Sequence, residues 1–112
     1  MDASPESFTA TLERVDGKAI VVLVGELDLD TAPELARVLE PVLDDGPPEV
    51  LIECSDLSFI DSSGIAVLVA AQMRLKGRGA YLALRSLTPH AMKIFATVGL
   101  TEFLNVDHAD PS

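Results

Sequence analysis

The spacing of apolar and polar positions changes several times along the chain, and each change marks an element. Phe8 to Leu12 alternates apolar with small polar residues, the period of an edge strand. Asp16-Gly17 then signals a tight turn. Ala19 to Val24 is a continuous apolar run, as expected of a central strand buried on both faces. Beyond it the period becomes helical: Leu35, Val38, Leu39, Val42 and Leu43 form one apolar face, with Glu34, Arg37, Pro41 and Asp44 opposite. Thr31 reads as the N-cap of this helix, with Glu34 completing a capping box. Pro33 falls in the first turn, where a missing N–H is tolerated, and Pro41 is expected to kink the helix. Gly46-Pro47-Pro48 ends it.

The second half repeats the alternation. Glu49 to Cys54 reads as another central strand, and Asp56 to Asp61 as a connector. A helix is expected from about Ser63 to Lys76, closed by Gly77, with Arg74, Lys76 and Arg78 at its negative end. Ala80 to Leu84 is a third central strand. Thr88 caps the last helix, Pro89 takes its first position and Gly99 ends it. Phe103 to Val106 reads as a short final strand. The order β-β-α-β-α-β-α-β predicts one α/β domain over residues 8–106, a mixed sheet of about five strands with helices packed on it. Residues 1–7 and 107–112 are expected to be flexible tails.

The helix after the connector departs from the usual pattern. From Gly64 to Ala71 it carries no charged or polar side chain. A surface helix normally has a polar stripe, so this one is either fully buried or covered by a partner. Full burial is hard to arrange in a chain of 112 residues.

Composition narrows the function. Hydrophobic residues make up 48% of the chain, with only four Phe, one Tyr and no Trp, so the core must be aliphatic. Eight basic against 18 acidic residues give a formal net charge of -10. That sign opposes direct nucleic-acid binding, which relies on Lys and Arg to neutralise phosphates. It opposes docking on an anionic membrane for the same reason. No uncharged stretch is long enough to span a bilayer, and the polar, acidic Met1–Ser7 is not expected to act as a signal peptide. The single cysteine, Cys54, cannot form an intrachain disulfide and is expected to pack as a small hydrophobe, consistent with a cytoplasmic setting.

The candidate chemistry lies at Asp61-Ser62-Ser63-Gly64, where a buried strand hands over to the apolar helix. Sites in open α/β sheets gather at the carboxyl ends of strands. A helix start offers free N–H groups and partial positive charge, so a phosphate on a serine here would meet backbone donors. The same residues also read as an ordinary helix start with Ser62 or Ser63 as N-cap. The acidic cluster Glu26, Asp28 and Asp30 reads as loop solvation and helix-start charge. No P-loop or G-x-S-x-G elbow is present. Two His and one Cys make no metal cluster, and His90 and His108 lie far apart in sequence.

Three segments resemble the STAS domain of the anti-sigma factor antagonist type: Gly25-Glu26-Leu27-Asp28 with Thr31-Ala32; Leu57 to Gly64, similar to the family's phosphorylation-site signature; and Pro89 to Leu100. The resemblance implies a partner switch. The unphosphorylated antagonist binds an anti-sigma factor that is also a serine kinase, and so frees a sigma factor. Phosphorylation breaks the complex, and a metal-dependent phosphatase of the PP2C type resets it. The phosphoacceptor falls on Ser62, with Ser63 as second choice. Asp28, Asp61, Ser63, Gly64, Ile65 and Ala66 are the implied partner-contact residues. ATP and Mg²⁺ belong to the kinase, so this chain is expected to be no enzyme and to need no cofactor. Gly64-Ile65-Ala66 departs from the family's frequent Gly-Leu-Gly, which bears on how closely a partner backbone approaches. Two other functions fit the residues: an unphosphorylated scaffold subunit of a signalling or lipid-transport complex, and a small hydrolase using Ser62 or Ser63 with a histidine base.

Overall fold

The computed structural model describes residues 8–107. His108 and the expected tails at 1–7 and 107–112 lie outside the described residues, except for Asp107, whose N–H donates to Leu84 O at 2.9 Å. The elements are β1 (Thr9–Val15), β2 (Lys18–Leu27), α1 (Ala32–Leu43), β3 (Glu49–Ile60), α2 (Ser62–Gly77), β4 (Tyr81–Arg85) and α3 (Pro89–Thr97). They build a mixed four-stranded sheet in the order β1-β2-β3-β4. β1 and β2 are antiparallel; β3 and β4 add in parallel. The turn between β1 and β2 places Asp16 at φ 51° and Gly17 at φ 77°, the paired left-handed residues of a tight hairpin.

One face of the sheet carries the core. Ala19 and Val21 stand in register with Val50 and Ile52, these with Leu82 and Leu84, and Leu23 follows on the same face. All are buried in one cluster with Leu35, Leu39 and Val42 of α1, Leu68 and Leu75 of α2, and Phe95 of α3. The opposite face belongs to no such cluster. Ile20 and Val22 are half-buried there and Val24 is exposed. For β2 the expectation of a central strand covered on both faces is therefore corrected; in β3, Leu51 beside Ile20 on that face is buried. The continuous apolar run of β2 reflects burial on one side and lateral shielding by neighbouring strands on the other.

β3 is twice as long as expected, and Asp56 to Ile60 is strand rather than connector. Its pairing with β2 slips twice, from Val22↔Glu53 to Val24↔Asp56 and from Gly25↔Leu57 to Glu26↔Phe59. Each slip inserts one extra residue in β3, a bulge. The buried positions after Ile52 become Cys54, Leu57 and Ile60. That spacing of three after the first bulge breaks the two-residue period and hides the strand.

The expected fifth strand shrinks to a single bridge, Leu84↔Val106. Side-chain amides do the rest. Gln72, fully buried in α2, donates from Nε2 to the carbonyls of Leu82 (3.2 Å) and Phe103 (2.7 Å), and its Oε1 accepts from Leu82 N (2.8 Å). Asn105 Nδ2 also donates to Leu82 O at 2.8 Å. Both outward backbone groups of Leu82, at the centre of β4, are thus satisfied without a partner strand.

Helix termini differ from expectation in three places. No capping box forms at α1: Thr31 has helical φ/ψ and makes no side-chain cap bond. Asp28 Oδ1 instead accepts from Asp30 N (3.0 Å) and Thr31 N (3.1 Å), while Glu34 pairs with Arg37. α1 continues past the exposed Pro41 to Leu43. α2 ends at Gly77, but the left-handed residue beyond it is Gly79 at φ 80°. Arg78 serves α1 rather than α2: its guanidinium donates to the carbonyls of Val42 (2.8 Å), Leu43 (3.0 Å), Gly46 (3.3 Å) and Pro47 (2.9 Å). α3 starts as read, with Thr88 Oγ1 accepting from Ala91 N.

Candidate functional site at the start of the second helix

The last rung of the β2–β3 ladder is Leu27↔Ile60, and the Asp61 N–H donates to Leu27 O at 3.1 Å. The chain then turns into α2. Asp61, not Ser62 or Ser63, is the N-cap: its backbone is extended, and its Oδ1 accepts from Ser63 N (2.9 Å) and Gly64 N (3.4 Å). Ile65 N donates to Asp61 O at 3.1 Å. Ser62 is the first helical residue and is exposed; Ser63 is half-buried. Two of the backbone donors expected to greet a phosphate, those of Ser63 and Gly64, are therefore already held by a carboxylate.

Gly64 is buried, with its Cα pressed on the end of β2. A Cβ built there would stand 2.5 Å from Leu27 Cγ and 3.2 Å from Ile60 Cγ1. Its place in the motif is steric, holding the helix start against the strand ends. Asp28, the next residue along β2's exit, is half-buried and spends its Oδ1 on the turn into α1. The fold thus brings the Asp28 turn and the Asp61–Gly64 helix start to one end of the sheet. Glu26 and Asp30 are exposed at that end.

α2 is not fully buried. Ala66, Ala70 and Met73 are exposed, while Ile65, Val67 and Val69 are half-buried against the core. Its outer face is apolar, without the polar stripe of an ordinary surface helix. Two further apolar residues escaped the sequence reading: Leu29 is 73% exposed and Phe59 48% exposed. Leu29 sits between Asp28 and Asp30, and a large aliphatic side chain in an acidic turn is the signal that could have found it. Phe59 lines a shallow groove with Leu57, Ile60, Ala91 and Ile94.

His90 is exposed in the first turn of α3 and lines the same groove. Among the described residues no hydrogen bond joins it to Ser62 or Ser63, nor do three or more His, Cys, Asp or Glu side chains gather to hold a metal. Among them, too, no helix is long and apolar enough to cross a membrane. Cys54 is buried, its thiol pushed up to about 12 by burial and by the nearby Glu53 charge, with a backbone hydrogen bond from Arg85 acting in the opposite sense.

A family model described as "Mlab, STAS domain" matches residues 10–105. This chain belongs to the STAS domain family. The match runs from β1 to Asn105, so the STAS domain includes both the Asp28 turn and the Asp61–Gly64 helix start. The anti-sigma-B factor antagonist of Bacillus subtilis is 30% identical over 86 residues, covering 77% of this chain and 78% of that protein. The crystal structure of an anti-sigma factor antagonist from Mycobacterium paratuberculosis superposes with a TM-score of 0.84 at 28% identity, covering 96% of this chain and 91% of that one. The Bacillus cell fate determinant SpoIIAA shares the fold in two forms. The unphosphorylated structure gives a TM-score of 0.76 at 22% identity, covering 90% of each chain. The phosphorylated one gives 0.71 at 21%, covering 90% of this chain and 93% of that one. The STAS fold places the exposed serine of this chain at the junction of its third strand and second helix.

Proposed function

We propose that this STAS domain is an anti-sigma factor antagonist whose binding is switched off by phosphorylation of Ser62. Unphosphorylated, it binds an anti-sigma factor that is also a serine kinase and so releases a sigma factor. A phosphatase of the PP2C type restores it, in a cytoplasmic setting. The observation that carries the reading is the exposure of Ser62 at the head of a helix whose outer face is apolar. The names of the relatives support the antagonist role, and a phosphorylated structure of a protein with the same fold supports the chemistry. Ser63 is a poorer acceptor, since it is half-buried and its N–H is engaged by Asp61.

The mechanism is local. A phosphate adds about -1.5 to -2 charges at neutral pH. On Ser62 it would adjoin Asp61 and the exposed Ala66 of the next turn. Enclosing that charge in an apolar contact without a cation is costly. A hundredfold release needs only about 2.7 kcal/mol, so the fold need not change. Asp28, Asp61, Ser63, Ile65 and Ala66 would form the contact around Ser62, with Gly64 shaping it from beneath. Binding to the cognate anti-sigma factor, titrated with and without MgATP, tests the reading. The wild-type complex should dissociate with MgATP and the Ser62→Ala complex should persist. Equal release of both would overturn it.

One observation favours a second reading. The matching family model is described by the name Mlab rather than as an antagonist. As an unphosphorylated scaffold subunit, the chain would use the same apolar α2 face, and Ser62 would serve only as the first residue of the helix. It would then bind its partner identically with or without MgATP.

A further inference from the structure

The first turn of α2 has N–H groups at Ser62, Ser63 and Gly64 outside the intrahelical ladder, since Ile65 is the first to donate back, to Asp61 O. Helix starts ordinarily favour anions because such donors are free. Here Asp61 Oδ1 holds two of the three, at 2.9 Å and 3.4 Å. The cap is also fixed from behind. Asp61 N donates to Leu27 O, and Gly64 packs against Leu27 and Ile60 so closely that no side chain fits between. Several cations of the domain are committed elsewhere: Arg37 to Glu34, Arg74 to Glu40 and Asp44, Arg78 to the end of α1, and Arg85 to Glu53.

We propose that Asp61 is a positioning residue that denies a Ser62 phosphate the Ser63 and Gly64 donors of its own helix, so that most of the phosphate charge stays uncompensated and is presented to the partner. The inference rests on Ser62 being the modified residue. Without Asp61 the phosphate would fold back onto Ser63 N and Gly64 N, satisfying its oxygens internally. With Asp61 in place those two donors are occupied and the phosphate projects outward. The carboxylate that caps the helix thereby keeps the modification legible from outside.

The test uses the full chain with phosphoserine installed at position 62 by semisynthesis, so it does not depend on any kinase. The amide proton shifts of Ser63 and Gly64 are compared with and without the phosphate. In the wild-type background they should be nearly unchanged. In Asp61→Ala they should move downfield together on phosphorylation, and the unfolding midpoint should rise because the phosphate replaces the lost cap. Asp61→Asn, which retains an acceptor oxygen and is the safer variant to fold, should behave like wild type. A downfield move of both amides in the wild-type background overturns the proposal. So does their failure to move in Asp61→Ala, which would mean that something other than Asp61 holds the phosphate away. Loss of kinase-dependent phosphorylation at Ser62 would instead count against the proposed function and leave these shifts unaffected.

Discussion

Gly64 and Leu27 approach so closely that a methyl group on the glycine would lie 2.5 Å from Leu27 Cγ and 2.7 Å from its Cδ2. Contact at Cγ, near the root of the leucine side chain, cannot be relieved by a rotation of its tip. Gly64→Ala should therefore destabilise the domain. Overpacking costs about 1–3 kcal/mol, against a helix-propensity gain of about 1 kcal/mol. Gly77, at the other end of the same helix, has nothing within 4 Å of a built Cβ. Gly77→Ala should be neutral or stabilising by up to about 1 kcal/mol. Urea unfolding of the two variants should give opposite signs; equal effects would contradict the packing account.

Gln72 holds both backbone groups of Leu82. Gln72→Leu keeps much of the volume but leaves the Leu82 N–H buried without a partner. The expected loss is about 1–3 kcal/mol. Amide exchange at Leu82 should accelerate more than exchange within β2. Unaltered exchange there would show that β4 does not depend on the amide.

Arg78 gathers four carbonyls at the end of α1 and the turn beyond it. A lysine cannot reproduce that fork of donors. Arg78→Ala should cost about 2 kcal/mol, a typical loss for hydrogen bonds to a charged group, and Arg78→Lys should restore less than half of it. Full rescue by lysine would reduce the contact to simple charge at a helix end.

Burial raises the Cys54 thiol from 9.0 to about 12. The unfolded chain therefore ionises first as pH rises. This contribution to stability is complete below about pH 9 and is lost between there and about pH 12. At pH 8, iodoacetamide should label Cys54 only as fast as the protein opens, and rapidly in urea. Labelling of the folded protein at the rate of a free thiol would contradict the assignment. The fall in stability above pH 9 should be smaller in Cys54→Ala.

Much of this architecture could be read from the residues because local and global signals agree. The helical period of Leu35, Leu39, Val42 and Leu43 matches the buried face of α1, and Thr88-Pro89 marks the start of α3 as expected. What was hidden lay where tertiary contacts override local pattern. Two bulges put Cys54, Leu57 and Ile60 at a spacing of three, so a strand looked like a connector. Nothing local marks Gln72 as buried, because its partners lie ten and 31 residues away. Thr31 and Glu34 spell a capping box, yet the Asp28 carboxylate took the N–H of Thr31 first. At the site itself, the motif Asp61-Ser62-Ser63-Gly64 was visible, but the division of labour within it was not. Only the geometry separates the capping aspartate, the exposed serine and the glycine that meets Leu27.

The account turns on Ser62 as the one residue through which binding is switched. Its most direct test is the intact mass of the chain after incubation with its cognate anti-sigma factor kinase and MgATP, with the modified peptide mapped. The account predicts a gain of one phosphoryl group located on Ser62 and no gain in Ser62→Ala. A wild-type chain that stays unmodified, or a Ser62→Ala chain that still gains the phosphate, would contradict it.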